Sequence, residues 1–168
     1  MPDFIPINGP VVADTVYADG KLIAKDVSLT LPAVTFMTAD VNAMGTMTIP
    51  IPQMIEHMEL TITKIGVDMG LSSAIKGNVP IEVRWVQNVL DANGNNNVVG
   101  CKAFLRCMSA GIPEMELTTG EPGENELGYG VTRYQMFQDG KEAWTIDRLA
   151  GICKIFGVDY MGNISSML

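Results

Sequence analysis

Much of the chain alternates between apolar and polar residues. Val79, Ile81, Val83 and Trp85 fall on one side of a stretch whose other side carries Glu82 and Arg84. A period of two fits an extended strand with one wet face and does not fit a helix. The same period recurs in Val27, Leu29 and Leu31 against Asp26, Ser28 and Thr30, and in Met47, Ile49 and Ile51 against Thr48 and Pro50. Residues 59–65 are rich in Thr and Ile, which suit a pleated, half-buried surface. Strands must find partners, and turn dipeptides mark where they do. Asp19-Gly20 separates residues 11–18 from 21–31, and Asp139-Gly140 separates 129–138 from 141–147. Both pairs favour tight hairpins. Asp91 to Asn97, rich in residues that tolerate positive φ, joins the Val79 strand to residues 98–110 as one long hairpin.

Other stretches lack this signal. Residues 38–46 carry few large side chains and read as a long exposed loop. Residues 68–75 form a short helix candidate, with Asp68 as cap and Gly77 at the exit. Residues 112–127 hold five glutamates and no basic residue, and read as an acidic linker. Asp147 can cap a last helical turn through Leu149, Ile152, Cys153 and Phe156, stopped by Gly157. Residues 1–14 form an extended N-terminal segment. The expectation is a single domain over residues 1–168, mainly β. Its seven or eight antiparallel strands pack as a two-sheet sandwich or barrel-like subunit with one or two short helices.

Composition excludes several function classes. The net charge is −8, with eight carboxylates against four lysines in residues 1–78. Gripping a phosphate backbone needs clustered Lys and Arg, so nucleic-acid binding by affinity is not expected. An acidic wall can still suit a conduit that must not hold its cargo. No apolar run is long enough for a membrane helix, and no basic region with an apolar run opens the chain as a secretory signal does. Cys101, Cys107 and Cys153 are odd in number and lack paired spacing, so neither a disulfide framework nor a zinc site is expected. The chain has a single histidine, His57, and no Gly-x-Ser-x-Gly elbow, phosphate loop or complete dinucleotide fingerprint, since Arg133 stands where the third glycine after Gly128-Tyr-Gly130 belongs. No enzyme, no cofactor and no metal is expected.

An ordered set of short pieces runs through the chain. It comprises Tyr17-Ala-Asp-Gly20, Val27-Ser-Leu-Thr-Leu-Pro32, Ala43-Met-Gly45, Met58-Glu59 before a strand with Gly66 after it, and Pro80-Ile-Glu-Val-Arg84. Gly123-Glu124, Asp139-Gly-Lys141, Ile146-Asp147 and Gly157-Val-Asp159 complete it. In order and spacing this set resembles the major tail tube proteins of contractile-tailed bacteriophages and the related tubes of contractile bacteriocins, over roughly residues 15–160. The resemblance singles out Asp19, Gly20, Leu31, Pro32, Asp139, Gly140, Asp147, Gly157 and Asp159 as the family's turns and strand ends.

The resemblance implies a subunit that contributes strands to a ring-wide β-barrel, in hexameric rings that stack into a hollow tube. The segment after Leu31-Pro32 then reaches a neighbouring subunit or ring, which marks Thr38, Asp40, Val41, Asn42, Ala43, Met44 and Gly45. Implied partners are the chain itself, sheath, baseplate and tape-measure proteins, and DNA as transient cargo, with no membrane. The implied setting is the host cytoplasm during assembly and then the particle tail. Of the alternating faces, Asp26, Ser28, Thr30, Glu59, Thr61 and Thr63 are expected to line the bore, ahead of the net basic face with Glu82, Arg84, Lys102 and Arg106. A small acidic β-sandwich binding module and a tube of type VI secretion kind stay open as alternatives.

Overall fold

The computed structural model describes residues 5–66 and 71–168, so the expected cap at Asp68 and the start of its helix lie outside the described residues. In chain order the elements are β1 (Ile7–Ala18), β2 (Lys21–Lys25), β3 (Ser28–Thr30), β4 (Phe36–Asn42), β5 (Thr46–Ile55) and β6 (Met58–Ile65). A single helical turn, α1 (Leu71–Ala74), precedes β7 (Val79–Leu90), β8 (Asn96–Ser109), β9 (Glu124–Gln138), β10 (Lys141–Asp147), β11 (Ile152–Ile155) and β12 (Val158–Asp159). The protein is almost entirely β, and among the described residues all strand pairs are antiparallel.

Ten strands make one sheet, in the order β12-β11-β10-β9-β8-β7-β1-β2, with β6 on β9 and β3 on β6. β9 is the spine. Its first half, residues 124–131, pairs with β6, and its second half, residues 133–138, pairs with β10 along the same edge. β8 takes the opposite edge. The switch falls at Thr132, the extra residue of a bulge between Arg106 and Cys107 on the facing strand. Its hydroxyl donates to the Arg106 carbonyl at 3.2 Å, and its carbonyl accepts the Arg148 amide at 3.0 Å. One extra residue reverses the side-chain alternation. Leu127, Tyr129 and Val131 are buried before the bulge, and Tyr134 after it.

Buried residues from both ends of the sheet share one cluster. Ile23 and Ala24 of β2 lie in it with Leu60 and Ile62 of β6, Ile81 and Val83 of β7, and Tyr134 of β9. The sheet therefore rolls into a barrel-like body. Each fully buried Leu, Ile or Val side chain among them contributes about 1.5–3 kcal/mol. The type I′ turns read from Asp-Gly are present, with φ of 52° and 77° at Asp19-Gly20 and 50° and 73° at Asp139-Gly140.

Several expectations change. Residues 21–31 are two strands, because Asp26 takes φ 49° and turns the chain from β1's side to β6's. The 14-residue N-terminal segment is mostly strand, since β1 starts at Ile7 and pairs with the far end of β7. The acidic linker ends early: residues 124–127 already belong to β9, held against β6. No second helix follows Asp147. Its carboxylate does accept the Leu149 and Ala150 amides, each at 3.0 Å, but residues 152–155 go on to pair with β10 as β11. The largest change concerns residues 38–46, which form the upper part of a two-stranded sheet and its turn, not a loop.

Candidate functional site

That second sheet, β4 with β5, pairs with no strand of the ten-stranded sheet. Its base is anchored. Phe36 meets the Tyr160 ring at 6.2 Å, Ile55 packs on the core, and the Cys153 thiol lies 3.6 Å from the Pro52 carbonyl. Beyond the base the hairpin is an arm, with residues 41–50 exposed without interruption.

The arm has two chemically distinct faces. In register, Asp40 stands opposite Thr48 and Asn42 opposite Thr46. The Thr48 hydroxyl donates to Asp40 at 2.8 Å and the Thr46 hydroxyl to Asn42 at 3.2 Å. On the other face Met37 stands opposite Ile51, Ala39 opposite Ile49 and Val41 opposite Met47. Met37, Val41, Met47 and Ile49 are each at least 41% exposed. Two strands alone are marginal in water, and an uncovered apolar face with free edges invites pairing. At the tip Met44 is fully exposed with φ 55°, followed by Gly45 at φ 126°. The seven residues singled out between Thr38 and Gly45 thus sit together at this end of the arm. The signal that locates them as strand is Met37, Ala39 and Val41 alternating with Thr38, Asp40 and Asn42.

The expected bore residues divide. Ser28 pairs with Thr63 and Thr30 with Thr61, so those four share one outer face of β3 and β6 with Glu59. β9 extends that face with Glu124, Glu126, Gly128 and Gly130, which stand opposite Ile65, Thr63, Thr61 and Glu59. Its charged strand residues are all glutamates. Asp26 lies at the bend outside any strand, so it is not part of this face. Nothing in the sequence marks Glu126, because between Leu117 and Leu127 no large apolar residue announces a strand.

The alternative face lies across β7, β8 and β9. Arg84 stands opposite Lys102, and Arg106 opposite Arg133. Its charge is partly tied up, because the Arg84 guanidinium donates to Glu82 at 2.5 Å and lies 4.9 Å over the Tyr17 ring. The Glu82 contact raises the Arg84 pKa from its ordinary value.

Of the turn residues, Asp159 repeats the role of Asp147, accepting the Met161 and Gly162 amides at 3.0 Å each. Gly157, at φ 82°, closes the turn between β11 and β12. Pro32 is buried where the chain leaves β3 for the arm, and Leu31 is half-buried against the core. Among the described residues no group of three or more His, Cys, Asp or Glu could hold a metal ion. No helix among them is long and apolar enough to cross a membrane.

Comparison with known proteins agrees with this architecture. The family described as phage tail tube protein FII matches residues 11–168. No curated protein sequence matches the chain. Among solved structures, the chain is similar to one from the sheath-tube complex of an extracellular contractile injection system (PVC) in its extended state. The TM-score is 0.52 at 12% identity, covering 77% of this chain and 90% of that one. It is also similar to a chain of the anti-feeding prophage cap, the AFP tube terminating cap, with TM-score 0.47 at 16% identity, covering 80% of this chain and 95% of that one.

Proposed function

The chain belongs to the phage tail tube protein FII family, and on that premise we propose that its copies close into six-membered rings that stack into a hollow conduit. It is a structural subunit of a tail tube, and a catalytic role is no part of this reading. The observation that carries the proposal is the β4–β5 arm, whose apolar face is left to solvent by its own subunit. A neighbouring copy that covers Met37, Val41, Met47 and Ile49 removes both the exposed apolar area and the free edges.

The acidic face of β3, β6 and β9 then lines the bore, with Glu59, Thr61, Thr63 and Glu126 toward the cargo. Glutamates repel DNA phosphates, whereas the Arg84, Lys102, Arg106 and Arg133 face would retain them through counterion release. The partners of this tube are a surrounding sheath, a baseplate that nucleates it, a tape-measure protein, and DNA or an effector in passage. Assembly takes place in the host cytoplasm.

Negative-stain microscopy of the concentrated chain tests the reading. Rings or tubes are expected, directly or after seeding with baseplate. A chain that stays monomeric when concentrated and seeded refutes it.

A further inference from the structure

Resting on the tube reading above, we propose that the tip of the arm, led by Met44, seats in an apolar groove of a second copy lined by Val11, Val27, Leu29, Leu31, Val83 and Trp85. Met44 is the starting observation. Its backbone holds φ 55°, a region disfavoured for a side chain of this kind, and the side chain is fully exposed. The other non-glycine residues at positive φ have a local reason. Asp19, Asp26 and Asp139 are short polar turn residues, and Phe156 packs edge-on against the Trp144 ring at 5.9 Å. Met44 gains nothing comparable within its own subunit.

The groove is open and about 420 Å³ in volume. It exists because β2 pairs only with residues 15–18 of β1, so Val11 lies past the end of β2 while β1 and β7 run on. Its walls are held in place. The Asp14 carboxylate accepts the Val27 amide at 3.0 Å, and the Asp14 carbonyl accepts the Asp26 amide at 3.2 Å. Asp14 is the one charged residue of the lining, and the tip residues 43–45 carry no charge. The knob therefore brings no charge into the hollow, and Asp14 keeps the Val27 amide as its partner.

Two other apolar hollows include the arm's own base, through Met37 and Met54 in one and Phe36 in the other. A second arm entering either would pack against the base of the first. The Val11–Trp85 groove includes no arm residue. Knob and groove are thus different surfaces of one molecule. Such a head-to-tail contact does not close on two copies, and it builds a ring where its rotation closes and a filament where it does not.

Two substitutions and a cross-link test this. Met44→Asn keeps a residue that tolerates positive φ, and Met44→Asp places a charge at the tip. Both should leave the melting temperature of the monomer unchanged. Met44→Asp should raise the concentration needed for tube growth at least about tenfold, because a charge in an apolar site weakens each contact by more than that step. Chains carrying Met44→Cys, mixed with chains carrying Val11→Cys and oxidised after assembly, should give a cross-linked dimer that neither variant gives alone.

Tubes that grow normally from the Met44→Asp chain would show that the tip is free or meets another component. That result overturns the proposal and leaves the tube reading intact. A cross-link formed within one chain carrying both cysteines assigns the groove to the chain's own arm and also overturns it. If the wild-type chain forms no tubes even when seeded, the tube reading fails and this proposal falls with it.

Discussion

At the scale of residues, the core's ionisable groups set a pH limit. Burial pushes the Cys107 thiol and the Tyr129 and Tyr134 hydroxyls up to about 12, from ordinary values of 9.0 and 10.0. Each favours the protonated form in the folded state, so the folded state binds more protons than the unfolded chain between those values. Stability from these groups is complete below pH 9 and is lost as pH rises toward 12. Urea midpoints measured across pH 8–11 should therefore fall, and Tyr129→Phe should flatten part of that fall. The Tyr129 hydroxyl also lacks a hydrogen-bond partner, so the same substitution should cost little at neutral pH. Asp147 is a different case. Its carboxylate holds two amides at the turn into β11, and Asp147→Ala should lower stability by about 1 kcal/mol in chemical denaturation.

At the scale of elements, the arm is where stability and assembly separate. Val41→Lys and Ile49→Lys change residues exposed in the subunit, so monomer stability should move by no more than about 0.5 kcal/mol. Tube growth should fail for both. Amides of residues 38–46 should also exchange quickly in the monomer and slowly in the tube. Unchanged exchange on assembly removes the arm from the interface. The sequence makes the barrel's strands easy to read because each has one dry face: Val79, Ile81 and Val83 are buried, and Arg84 is exposed. The arm is harder. Neither of its faces is buried, and Ala39 and Ala43 are small, so the alternation has little contrast. Thr132 hides for another reason. A bulge shifts the alternation by one residue, and Gly128-Tyr-Gly130-Val-Thr-Arg-Tyr134 carries no local mark of where the shift falls. The acidic face was half legible, because Glu59, Thr61 and Thr63 alternate visibly while Glu126 becomes their neighbour only through pairing between distant segments.

At the scale of the whole molecule, the polarity of the bore decides what the conduit does with its cargo. Thr61→Cys and Glu126→Cys in assembled tubes should react with a small maleimide entering from the open ends and resist one attached to a bulky dextran. Lys102→Cys should react with both. The reverse pattern, or a bore lined by Arg84, Lys102 and Arg106, refutes the assignment. The dual pairing of β9 also governs timing. β3 and β6 are tied into the sheet only through residues 124–131, and the β10–β12 branch only through residues 133–138. A ribosome that has released the first 120 residues has therefore released the arm and its groove, but no closed barrel to hold either. Slow, non-local closure of this kind delays the folded state until the last quarter of the chain emerges. The groove that receives a neighbour's tip is therefore expected to take shape only once β9 has emerged and tied β3 and β6 into the sheet.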